Sequence, residues 1–94
     1  MNLPELYEII AERKNNPQPN SYTCSLFEAS MEEISKKVGE EAIEVILAAN
    51  QQGMQRTVEE IADLFYHLMV LMVSKEIPLD AVEKELQMRH SPSH

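Results

Sequence analysis

Residues 61–73 carry Ile61, Leu64, Phe65, Leu68, Met69, Val70, Leu71, Met72 and Val73, which cover almost every direction of a helical wheel. A helix apolar all round must be buried all round. The few other helices of a 94-residue chain cannot surround it, so a second copy is expected. The fold class predicted is all-α: an antiparallel helical bundle completed as a homodimer. The run is too short to span a membrane and contains Asp63 and His67. Met69 and Met72 read as fillers of the core or of the dimer interface.

The other elements follow from caps and breakers. A first helix is expected over 3–14, capped by Asn2 with Pro4 in its first turn, and Leu3, Leu6, Tyr7 and Ile10 form its stripe. Pro17 and Pro19 make the segment after it the longest loop. A short helix over 23–29 follows. Ser30-Met-Glu-Glu33 is a capping-box pattern opening a long helix to about residue 49. Its inner stripe is expected to be Val38, Ala42, Val45 and Ala49. Gly39 inside that helix either lets a neighbour approach closely or bends the helix mildly. The next helix should run over 54–74, although Thr57 and Glu60 form a second capping-box pattern that would delay its start. A last helix over 79–89 enters through Pro78. A single domain over 1–90 and a fraying tail over 91–94 complete the plan.

Composition narrows the partners. A formal net charge of −8, without a basic stripe or tail, disfavours nucleic acid and anionic membranes. The single Cys24 cannot form an internal disulfide and reads as a small, partly buried thiol, which suits a reducing, cytoplasmic setting. The start of the chain lacks the basic region and apolar core of a signal peptide.

Two acidic pairs carry the chemistry. Glu41-Ala-Ile-Glu44 and Glu60-Ile-Ala-Asp63 each set carboxylates at i and i+3, neighbours on one helix face. Folding the chain back about Gln52 brings Glu44 level with Glu60, and Glu41 level with Asp63. Left bare, each adjacent pair would repel by about 3 kcal/mol at ~5 Å and an effective dielectric of ~20. A hard divalent cation relieves that repulsion, and Mg²⁺ characteristically recruits substrate phosphates as well. A di-iron centre would require Glu-x-x-His on two helices, and neither pair has that form. Mg²⁺ or Mn²⁺ fits an all-oxygen set better than zinc does.

The neighbours of the pairs leave alternatives open. His67 either orients a carboxylate or reaches a phosphate, or it is a hydrogen-bonded core histidine. Lys36 and Lys37 are either solvated or neutralise a phosphate, Lys37 being one turn before Glu41. Arg89 and His90 either compensate the last helix's dipole or reach substrate. Tyr66 points away on the wheel and reads as a packing residue.

Lys36-Lys-Val-Gly-Glu-Glu-Ala-Ile-Glu44 followed by Glu60-Ile-Ala-Asp-Leu-Phe-Tyr-His67 resembles the all-α nucleotide pyrophosphohydrolase superfamily. Asn20-Ser-Tyr-Thr23, the Tyr-His ending and Arg89-His90 narrow the resemblance to the phosphoribosyl-ATP pyrophosphohydrolase family. The resemblance implies that Glu41, Glu44, Glu60 and Asp63 hold Mg²⁺ and act in catalysis. The role it leaves to Glu40 is less defined, since that residue projects away from the pair on the wheel. It implies that Ser21, Tyr22 and Thr23 line the substrate site, with Lys36, Lys37, His67 and Arg89 as further substrate contacts. The reaction implied is hydrolysis of phosphoribosyl-ATP to phosphoribosyl-AMP and pyrophosphate, the second step of histidine biosynthesis. Family members often carry a fused phosphoribosyl-AMP cyclohydrolase domain; without one here, the next step is expected on another chain. The competing readings are a broad nucleoside triphosphate pyrophosphatase and a non-catalytic dimeric helical module.

Overall fold

In the computed structural model residues 1–92 are described, so the end of the expected tail, Ser93 and His94, lies outside the described residues. Among the described residues five α-helices follow one another: α1 (Leu3–Asn15), α2 (Tyr22–Glu28), α3 (Met31–Gln51), α4 (Gly53–Ser74) and α5 (Leu79–Arg89). There is no strand among the described residues. Among the described residues no helix is long and apolar enough to cross a membrane.

Local chemistry accounts for the boundaries. Asn2 Oδ1 accepts from the Glu5 amide at 2.9 Å and opens α1. Ser21 Oγ accepts from the Cys24 amide at 3.2 Å, so α2 begins at Tyr22, one residue earlier than the expected start. Tyr22 is therefore helical rather than in the loop. Asn20 precedes this cap with φ 62°, a left-handed conformation that asparagine tolerates better than most residues. Ser30 Oγ accepts from the Glu33 amide at 3.2 Å, and Glu32 and Glu33 meet the positive end of α3.

The turn between the long helices is tighter than the expected loop. Gln52 alone ends α3 and begins α4, and Gly53 takes φ +84°, where a Cβ would be strained. Thr57 is no cap: its hydroxyl donates to the Gly53 carbonyl at 2.7 Å from inside the helix. Because α4 returns immediately, the inner line of α3 closes on Ala48, which is fully buried, while Ala49 is exposed. Nothing approaches within 4 Å of a Cβ built on Gly39, so no close helix contact within the chain requires that glycine.

The core gathers Ile10, Leu26, Ile34, Met69, Val70 and Val73 from α1 to α4. Met69 and Met72 therefore belong to the chain's own core, Met72 packing partly buried against it. Tyr7 donates its hydroxyl to the Ile77 carbonyl at 2.7 Å and ties α1 to the segment before α5. The other half of the α3–α4 hairpin is open. Ile43, Ile46 and Leu47 on α3, and Met54, Val58 and Phe65 on α4, are exposed. No residue of α5 is buried, and Val82, Leu86 and Met88 face solvent.

Candidate metal centre

Hairpin symmetry about Gln52 brings the acidic pairs to one height, and helix azimuth then sorts them. On α3 the inner line passes through Ile34, Val38, Glu41, Val45 and Ala48, all at least half-buried, so Glu41 points at α4. Glu60 is buried to 6% exposure, while Asp63 lies one turn on and exposed. One carboxylate oxygen from each of Glu41, Glu60 and Asp63 lies within 4.8 Å of the other two. It is the one such group of three or more potential ligands among the described residues. Glu44 is exposed and outside this trio, although it lines the same recess of ≈ 500 Å³. Glu44 shares the recess but stands off the inner line of α3.

Charge is concentrated here. Lys37, Glu40, Glu41, Glu44, Glu60 and Asp63 line the recess beside Ile43, one lysine against five carboxylates. Lys37 Nζ lies 3.7 Å from Glu40 and 3.9 Å from Glu41, so Glu40 flanks the site through Lys37. The second counter-ion is Arg56, which the sequence reading missed. Its guanidinium donates to Glu60 one turn on and to Glu59 at 2.6 Å. The hydrogen bond to Glu59 and the charge of Glu60 raise the Arg56 pKa, which keeps this cation charged throughout. Glu59 is lowered by hydrogen bonds from Gln55 and then Arg56. The i, i+4 spacing of Arg56 and Glu60 was the signal available for finding it.

The donor set suits a hard divalent cation. Three convergent carboxylates, one of them buried, are costly without positive charge between them, and all offer oxygen. Histidine does not join them. His67, buried to 6%, spends Nδ1 on the Asp63 carbonyl at 2.8 Å and Nε2 on the Tyr22 hydroxyl at 3.0 Å. A carbonyl only accepts, so Nδ1 carries the proton and Tyr22 donates to Nε2. Beside it, Thr23 Oγ1 hydrogen-bonds the Tyr66 hydroxyl, and burial raises the Tyr66 phenol above its ordinary pKa. Tyr66 packs against the core as expected and also carries this hydroxyl bond to Thr23. The Tyr66 and His67 rings meet edge to face at 5.0 Å. Lys36 is exposed and outside the recess, and Arg89 pairs with Glu85 on α5 at 2.9 Å. These two are not brought to the carboxylates.

The family model described as phosphoribosyl-ATP pyrophosphohydrolase matches residues 3–90. The chain belongs to this family. A phosphoribosyl-ATP pyrophosphatase of Clostridium botulinum is 51% identical over 87 residues, covering 93% of this chain and 79% of the relative. One from Listeria monocytogenes is 49% identical, with 93% and 84% covered. A histidine biosynthesis bifunctional protein of Caldanaerobacter subterraneus is 49% identical over 88 residues, which span 94% of this chain and 43% of that protein. The phosphoribosyl-ATP pyrophosphohydrolase match takes in the five helices of the described residues, α5 included, which joins the core only through the partly buried Leu79.

Proposed function

We propose that this chain hydrolyses phosphoribosyl-ATP to phosphoribosyl-AMP and pyrophosphate, the second step of histidine biosynthesis, with Mg²⁺ or Mn²⁺ held by Glu41, Glu60 and Asp63 and completed by Glu44. The observation that carries the reading is the convergence of three carboxylates within 4.8 Å in a recess open to a ligand. When bound, the divalent cation supplies positive charge that offsets charge building on the phosphoryl oxygens. The chain's own residues do the rest. Glu60, buried against the hairpin and held by Arg56, is the fixed floor of the site. Asp63 and Glu44, both exposed, stand at the open side where substrate and water enter and can orient the attacking water. Lys37 offers an ammonium at the same mouth for a phosphate oxygen. For Lys36 and Arg89, which stand outside the recess, contact with the ribose 5-phosphate rests on the family resemblance alone.

The same reading makes the active form a homodimer in the cytoplasm. Supporting it are the exposed Ile43, Ile46, Leu47, Val58 and Phe65 along the open half of the hairpin, and the unburied α5. The buried, unpaired thiol of Cys24 suits a reducing compartment. The test is pyrophosphate release from phosphoribosyl-ATP and from ATP, with and without Mg²⁺. Release that requires Mg²⁺ and strongly favours phosphoribosyl-ATP is the expected result. Comparable kcat/KM for both substrates would mean a general nucleotide pyrophosphatase, and no release from either would leave a non-catalytic module.

A further inference from the structure

The segment Ser21-Tyr22-Thr23 resembles a substrate-lining motif, yet each of its hydroxyls is already engaged inside the protein. Ser21 Oγ accepts from the Cys24 amide. Tyr22 donates to His67 Nε2 at 3.0 Å, and Thr23 Oγ1 pairs with the Tyr66 hydroxyl. Two adjacent residues of α2 therefore interlock with two adjacent residues of α4. The rings of Tyr22 and Tyr66 stack at 6.2 Å beside these bonds.

The place where this latch ends gives it a purpose. His67 passes the contact on through Nδ1 to the carbonyl of Asp63, the exposed member of the carboxylate trio. Asp63 stands within 4.8 Å of two like charges that push it away. At the other end, α2 is anchored by the buried Cys24 and Leu26. Movement of this part of α4 away from α2 would break the Tyr22–His67 bond.

We propose that Tyr22 and His67 are positioning residues that hold the α4 turn bearing Asp63 in register for the divalent cation, rather than contacts to substrate. The inference rests on the metal-site reading above and deepens it. Groups that orient metal ligands change affinity by about 10–100-fold when removed, and a device acting through the main chain belongs at the low end.

The test is Tyr22→Phe, which keeps the ring and removes only the donated hydrogen bond. Mg²⁺ binding to the substrate-free protein is measured by calorimetry, and kcat and KM for phosphoribosyl-ATP are measured at saturating Mg²⁺. The expected result is Mg²⁺ affinity about tenfold weaker, a lower kcat and an unchanged KM. Combined with Asp63→Asn, the Tyr22→Phe change should have little further effect on Mg²⁺ affinity, because the ligand it positions has gone. His67→Asn, which can still donate to the Asp63 carbonyl, should retain more affinity than His67→Leu. A raised KM with Mg²⁺ affinity unchanged would overturn the proposal and make the Tyr22 hydroxyl a substrate contact; so would no change in either quantity. Because Mg²⁺ binding is read without substrate, the latch stands or falls separately from the choice of phosphoribosyl-ATP.

Discussion

The two ends of α4 meet the same requirement in opposite ways. Toward its C-terminus, Met69, Val70 and Val73 are buried against Ile10, Leu26 and Ile34 from three other helices of the same chain. Toward its N-terminus, Met54 and Val58 stay exposed, as does Phe65 near the middle of the helix, opposite an α3 that exposes Ile43, Ile46 and Leu47. Apolar periodicity states that a face must be covered but does not name the cover. The core end is finished by the chain itself. The open end combines unpaired apolar surface with the carboxylate recess, which couples the site to whatever completes the hairpin.

Substitutions can break this contrast, beginning with the largest effect on stability. Ile10→Ala at the core end should cost about 2–5 kcal/mol of folding free energy, read by urea unfolding, because Ile10 is 1% exposed and its loss leaves a cavity. A loss below about 1 kcal/mol would mean that this end is not closed. At the open end, Phe65→Lys should leave far-UV helicity intact but weaken self-association by about 2 kcal/mol, roughly thirtyfold in Kd by sedimentation. A mainly monomeric wild type at micromolar concentration would remove the proposed dimer. Met69 and Val70 are unsuitable probes of association, since both are buried within the chain.

Smaller effects sharpen the comparison. Ser30 caps α3 at the core end, whereas α4 starts at the open end with no side-chain cap. Ser30→Ala should therefore cost about 1 kcal/mol, and Gln52→Ala much less. The smallest effect concerns pH. Burial raises the Tyr66 phenol in the folded state, so the unfolded chain loses this proton first as pH rises. Its contribution to stability is fully present below the ordinary phenol range and is lost as pH climbs through it. Tyr66→Phe should flatten that alkaline fall in melting temperature; an unchanged fall would assign it to other groups.

How much of this was legible depends on which geometric variable each residue answers to. Asn2 and Ser30 cap as their side chains dictate, because capping is a local contact three residues long. Sequence distance from Gln52 gave the common height of the acidic pairs, since rise per residue is constant. It could not say which line of α3 faces α4, which is why Glu44 falls outside the close trio. Ser21-Tyr22 looked like the end of a loop because the prolines before it hid the Ser21 cap. The Thr23–Tyr66 and Tyr22–His67 pairings span 43 and 45 residues and depend on how α2 docks, which no periodicity encodes. Arg56 was readable from its spacing to Glu60, but that reading required knowing that Glu60 is buried.

The central claim is that the buried carboxylate of Glu60 acts with Glu41 and Asp63 on a divalent cation during pyrophosphate release. The direct measurement is release from phosphoribosyl-ATP across a Mg²⁺ titration, for wild type and Glu60→Gln, with circular dichroism on both. The account predicts Mg²⁺-dependent turnover in wild type and a fall of about 10²–10³-fold in the variant, as when one preorganised electrostatic group is removed, with helicity retained. Wild-type turnover by Glu60→Gln at limiting Mg²⁺ would contradict it.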